Sequence, residues 1–177
     1  MYWILFVMSA IVAVVVALIV GGLATPRDHA VARSIELPVQ PDVVWTTIRD
    51  IAQYSDWRHE LDGADVVDTD QPQPRWRETT SRGSMTFGIT VDEPPRRMSA
   101  RILDDDLPFT GEWCWSIEPS GDGTRVTLTE QGSVPNPVFR FIGAHFLGHT
   151  RSIDRYLKGL AARHGVPHPE IQDARAV

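Results

Sequence analysis

The chain has 177 residues and a single cysteine, Cys114. No disulfide within the chain can hold it together, and one thiol does not decide the compartment. It has no block of Lys and Arg outside its C-terminal helix region, and its net charge is −6, which argues against nucleic-acid binding. Repeats and low-complexity tracts are absent. So are the usual catalytic signatures: there is no P-loop, dinucleotide fingerprint, HExxH helix, cysteine nucleophile motif or Ser/His/Asp order. No cofactor is expected. Charge is missing altogether from the start of the chain, because Met1 to Thr25 contains no Asp, Glu, Lys, Arg or His.

That uncharged start is also strongly apolar. The run from Tyr2 to Leu23 is long enough as a helix to span about 30 Å of hydrocarbon. Residues 1–26 therefore read as a membrane anchor. The competing reading is a cleaved signal peptide: Gly22-Leu23-Ala24 resembles a cleavage site, but no positive n-region precedes the run. Arg27 and Arg33 are the nearest positive charges and both follow the span, so the positive-inside rule places the globular part in the cytoplasm on a single-pass anchor. With only Pro26 to Ala30 as tether, the domain is held within about 15–20 Å of the bilayer.

The rest alternates. Val31 to Leu37 reads as a strand with Arg33, Ile35 and Leu37 on one side. Pro41-Asp42 opens a short helix carrying Val44, Trp45, Ile48 and Ile51, and a second short helix carries Tyr54 and Trp57 as packing residues. Ala64–Thr69 and Arg75–Thr80 follow as strands around a Gln-Pro-Gln-Pro turn. Ser84–Val91 points Met85, Phe87, Ile89 and Val91 inward, and Arg97–Leu103 returns with Met98, Ala100 and Ile102. Asp104-Asp105-Asp106 is a turn whose carboxylates are read as solvated, with calcium the weighed alternative. Phe109–Glu118 and Thr124–Gly132 form a hairpin around Ser120-Gly121-Asp122-Gly123. A helix from Asn136 to His164 then places Ile142, His149, Ile153, Tyr156, Leu157 and Leu160 on one face, with Arg140, Arg151, Arg155 and Lys158 opposite and Asp154 within reach of Lys158. Gly165 and Pro167 close it. At about 28 residues it is about 42 Å long and needs a large apolar partner. The expected fold is α+β: a curved antiparallel sheet of about seven strands around the long C-terminal helix, with two short helices after strand one. Residues 27–165 form this domain, and 166–177 read as a flexible tail.

This layout resembles the START-like (SRPBCC) superfamily of the helix-grip fold, in the branch named for polyketide cyclases, dehydrases and lipid transport. The resemblance rests on Pro41-Asp42-Val43-Val44-Trp45, on Tyr54 to Trp57 as a Y-x-x-W helix, on Leu107 to Trp113 with Gly123 to Thr127, and on Tyr156-Leu157-Lys158-Gly159-Leu160. It covers about residues 30–164 and implies a cavity between sheet and helix that takes a hydrophobic or lipid-like molecule. It selects no chemistry, because one fold hosts many functions.

Met85, Phe87, Ile89, Met98, Ile102, Trp113, Trp115, Ile142 and Phe146 are the apolar candidates for the lining, and they equally suit a packed core. Glu130 shares parity with Val126 and Leu128, so its carboxylate faces inward and needs an Arg, a His or a ligand group; Glu78 has the parity of Trp76. His145 and His149 are four apart, and with Glu130 they make a weak metal set, so no metal is expected. Three functions remain open on the sequence. The leading one is a membrane-anchored binder of a hydrophobic small molecule that is not an enzyme. The second is a cyclase- or dehydratase-like enzyme using Glu130 and His149 as an acid–base pair. The third is a filled-core interaction module at the membrane. Separately, the basic helix face reads as a solvated outer face, with contact to anionic headgroups the weighed alternative.

Overall fold

A computed structural model describes residues 2–68, 73–147 and 150–176. In chain order, α1 (Tyr2–Ala24) is followed by β1 (Asp28–Leu37), α2 (Pro41–Arg49), a 3-10 turn (Ile51–Gln53) and α3 (Tyr54–Trp57). The strands β2 (Gly63–Asp68), β3 (Arg75–Thr80), β4 (Gly83–Glu93), β5 (Arg97–Ile102), β6 (Thr110–Ser120) and β7 (Gly123–Ser133) come next. The chain ends with α4 (Pro137–Ile142), a π-turn (Gly143–Leu147), α5 (Arg151–Arg163) and β8 (Gln172–Ala174). The sheet order is β2-β3-β4-β5-β6-β7-β1-β8, each neighbour antiparallel, so β1 lies beside the last long strand rather than beside β2.

Period-2 patterning puts one face of this sheet against α5. Ile153, Tyr156, Leu157 and Leu160 are fully buried against it, as the helical spacing predicts. Asn136 caps α4, its side-chain oxygen accepting from the Val138 and Phe139 N–H groups at 2.9 and 3.3 Å. Gly165 closes α5 at φ 81°, with Val166 N–H donating to the Ala161 carbonyl and Gly165 N–H to that of Ala162.

Several expectations are corrected. In place of a single helix from Asn136 to His164, α4 runs into the π-turn at Gly143, a residue that adds no side chain to hold an α-helical turn, and α5 begins at Arg151, with residues 148–149 outside the described residues. A bulge between Ile89 and Val91 reverses the parity of β4, so Val91 pairs outward with Ser99 and Asp92 turns inward to meet Arg49 at 3.3 Å. Asp154 faces Arg33 at 3.4 Å rather than Lys158. The tail is not loose: β8 pairs with β1 and makes an eighth strand, and Asp173 binds Arg33 there. The Gln-Pro-Gln-Pro turn falls partly outside the described residues.

Arg140 is also not part of a solvated basic face. Its guanidinium donates to the carbonyls of Gly22 and Thr25 at 3.2 and 3.1 Å and to those of Val134 and Pro135 at 3.0 and 2.7 Å. The first two are end-of-helix acceptors of α1, where a cation also suits the helix dipole. Almost all of α1 is exposed, but its last turn packs on α4 so closely that a Cβ on Gly22 would sit 1.9 Å from the Pro137 carbonyl oxygen.

At the other end of the domain the His164 imidazole Nε2 lies 3.2 Å from Thr47 Oγ1 and joins α2 to the end of α5. Burial, and secondarily Arg163, holds the imidazole below its ordinary value of 6.5. The unfolded chain therefore takes up this proton more readily than the folded one. Stability from this group is complete above about pH 6.5 and is lost as pH falls below it. We expect His164→Asn to flatten the fall in thermal stability on the acid side of that value, checked by melting curves across the range.

Candidate functional site

Register divides the inner face of the sheet into rows. One row, Met98, Trp115, Leu128 and Arg33, and the next, Ile117, Val126 and Ile35, lie beneath α5 and are buried except for Arg33. Towards the end where α1 enters and α4 leaves, a row of Ala100, Trp113, Glu130 and Val31 is half-buried apart from Ala100. The last row, Ile102, Gly111, Gly132 and His29, is half-buried throughout. The inner face is thus packed at one end and open at the other.

The packed end is organised by an ion pair. Arg58, just past α3, meets Glu78 of β3 in a bidentate contact, Nη1–Oε1 2.5 Å and Nη2–Oε2 2.9 Å. Trp76 Nε1 donates to Glu78 Oε1 at 3.0 Å, and Arg58 Nε to Glu60 at 3.1 Å. The guanidinium sits between the rings of Tyr156, Tyr54 and Trp113, with centroids at 5.1, 5.2 and 5.9 Å. Burial works against the charge on Arg58, yet Glu78 outweighs it and holds the guanidinium above its ordinary range. Tyr156 is the hub of the ring cluster, 5.2 to 5.7 Å from Trp57, Trp113 and Trp115. Burial pushes the Tyr156 and Tyr54 phenols above their ordinary range, so both stay neutral.

The open end centres on Glu130. Its Oε2 accepts from Trp113 Nε1 at 2.9 Å and from Ser152 Oγ, in the first turn of α5, at 2.6 Å. Its Oε1 lies 3.6 Å from His29 Nε2, and both side chains are 19% exposed. One carboxylate oxygen is therefore held by the indole and the hydroxyl, while the other lies beside the His29 imidazole. On the outer face at the same end of the sheet, a cavity of about 890 Å³ is lined by Arg101, Glu112, Gln131 and Ser133 among others, and it also touches Ile102, Gly111, Gly132 and His29.

The residues named from sequence fall into three groups. Ile89, Met98 and Trp115 are core. Met85, Phe87, Ile102, Trp113, Glu130 and Ile142 are half-buried, and of these Trp113 and Glu130 are joined directly. The Phe146 side chain and His149 lie outside the described residues. His145 stacks on Phe141 at 4.4 Å and its side chain is exposed. In the triple-aspartate turn, Asp104 accepts from the Thr86 N–H at 2.6 Å.

Sequence reading missed Arg58, His29, Ser152 and the clasp made by Arg140. His29 had a signal, since it shares parity with Val31 once β1 is extended to Asp28. Arg58 follows the Tyr54–Trp57 turn directly, which places a cation among inward aromatics.

A family model described as polyketide cyclase / dehydrase and lipid transport matches residues 28–165. No curated protein matches the chain in sequence. Solved structures share the fold. A Thermus thermophilus protein superposes with a TM-score of 0.64 at 22% identity, covering 76% of this chain and 96% of its own. The Zhui aromatase/cyclase of a Streptomyces species gives 0.63 at 14%, covering 78% and 94%. A START superfamily protein of Mycobacterium smegmatis gives 0.59 at 19%, covering 77% and 97%.

Proposed function

The chain belongs to the polyketide cyclase / dehydrase and lipid transport family, and from that premise we propose that it binds a hydrophobic, lipid-like small molecule between the α1-side half of the sheet and the α4–π-turn segment. The observation that carries this reading is the gradient of burial along the strands. Inward residues are sealed beneath α5 but half-buried elsewhere on the same face, where Met85, Phe87, Ile102 and Trp113 offer an adaptable apolar wall. The exposed apolar length of α1 fits a bilayer anchor, with the domain on the cytoplasmic side by its flanking arginines. The two are separated by Thr25, Pro26 and Arg27 alone, a reach of about 10–15 Å. The open end of the cavity then lies beside the membrane that would supply or receive the ligand.

The test uses the full chain in lipid nanodiscs and the neutral probe N-phenylnaphthylamine, read by fluorescence against empty nanodiscs. We expect saturable binding that Ile102→Trp weakens by about tenfold or more, because the added ring fills the open row. Equal binding by the variant would place the probe elsewhere and refute this cavity.

A second reading is favoured by one contact. The Glu130 carboxylate beside the His29 imidazole is a pairing that general acid–base work on a bound ketone or polyketide would use. On that reading Glu130→Gln abolishes turnover and leaves binding largely intact. The partner named from sequence, His149, stays part of this reading as a proposal.

A further inference from the structure

Among the described residues, the arginines nearest this region are already engaged. Arg58 is held by Glu78 and Glu60, Arg33 by Asp154 and Asp173, and Arg140 by four backbone carbonyls. The carboxylate that faces the open space is Glu130. Its Oε2 is saturated by the Trp113 indole and the Ser152 hydroxyl. Its Oε1 stands 3.6 Å from His29 Nε2, longer than a hydrogen bond, and so keeps acceptor capacity, with the side chain 19% exposed. Its neighbours in the two half-open rows are Trp113, Val31, Ile102 and the His29 imidazole.

A carboxylate set among aromatic and aliphatic side chains and one imidazole, with those arginines committed elsewhere, discriminates by the charge and donor capacity of what enters. A hydroxyl satisfies it and is satisfied by it. A second carboxylate meets like charge at short range in a medium that screens poorly, and it brings no hydrogen to share. We infer that Glu130 sets the ligand class: an uncharged apolar molecule whose polar end is a hydroxyl donating to Glu130 Oε1, with carboxylate-bearing amphiphiles such as free fatty acids rejected. This inference rests on the cavity proposed above and goes further by naming the group that the ligand must carry.

A matched pair of probes tests it. 2-Naphthol and 2-naphthoate share one ring system and differ in the polar end, a neutral donor in one and an anion in the other at about pH 7.5. Affinities are measured on the full chain in nanodiscs, with empty nanodiscs as the partition reference, for the wild type and Glu130→Gln. The expected result is naphthol bound at least about tenfold more tightly than naphthoate by the wild type. In Glu130→Gln that ratio should collapse to about threefold or less, chiefly because naphthoate binds better. A merely structural role for Glu130 would weaken both probes together and leave the ratio unchanged, which overturns the assignment. Naphthoate binding as tightly as naphthol to the wild type also overturns it, while leaving the cavity itself supported. If neither probe binds, the cavity reading fails and the inference falls with it.

Discussion

Replacing Glu78 with alanine should destabilise the domain by about 3–5 kcal/mol, because it strands the buried Arg58 guanidinium without its carboxylate. In a protein of this size that is a fall in melting temperature on the order of 10 °C, read by calorimetry or circular dichroism. It is also a large fraction of the stability of a typical domain, about 5–15 kcal/mol, so the variant sits near the unfolding threshold. Arg58 has secondary partners in Glu60 and in the faces of Tyr54, Trp113 and Tyr156, but none supplies a second bidentate carboxylate. The companion experiment replaces both members, Arg58→Met with Glu78→Leu. Removing both charges removes both desolvation penalties, so the double variant should regain most of what Glu78→Ala loses. Equal losses in the single and double variants would mean that packing, not charge pairing, holds this corner.

The second large effect belongs to Tyr156. It is fully buried and its ring meets Trp57, Trp113 and Trp115, so it links α3, the middle of the sheet and α5. Tyr156→Ala should cost about 3–5 kcal/mol, as other buried aromatic truncations do. Tyr156→Phe should behave in the opposite sense. The hydroxyl makes no hydrogen bond to any described residue, so removing it relieves a desolvated polar group and should leave stability within about 1 kcal/mol of wild type, or raise it. Thermal melts of the two variants side by side decide the matter. A loss in Tyr156→Phe comparable to that in Tyr156→Ala would show that the hydroxyl, not the ring, is what the cluster depends on.

How far the sequence was legible follows from which rule governs each element. Strand parity depends on two residues at a time, and it placed Glu78, Glu130, Trp113 and Trp115 on the correct face. It failed where a bulge adds a residue, and so it missed the inward turn of Asp92 towards Arg49. The apolar stripe of α5 was readable because Ile153, Tyr156, Leu157 and Leu160 recur at helical spacing. The same pattern carried the helix across Gly143, where periodicity holds no information about the cost of glycine. The family resemblance and the α+β layout were recoverable because they depend on element order. The partners of the buried carboxylates were not. Arg58 comes from a loop, Ser152 from the start of α5 and His29 from the start of β1, and long-range pairing of that kind leaves no periodic trace. Arg140 shows the limit most clearly. By helical angle it belongs with Arg151, Arg155 and Lys158, yet two of its four carbonyl partners, Gly22 and Thr25, lie at the end of α1, an element outside the domain's own pattern. The strand made by the tail was hidden for a similar reason. Gln172–Ala174 carries no strand signature and is ordered by the edge of β1 that it covers.

The measurement that tests the central claim most directly is native mass spectrometry of the full chain, extracted with its surrounding lipid from the host that makes it. The expected result is a chain carrying one small apolar molecule that survives release from the lipid, is lost on unfolding, and disappears in Ile102→Trp. Its mass would name the ligand class and should correspond to an alcohol or phenol rather than a free acid. A chain that flies without adduct, and gains no thermal stability from neutral or acidic apolar probes, would contradict the cavity and leave the domain as a filled core.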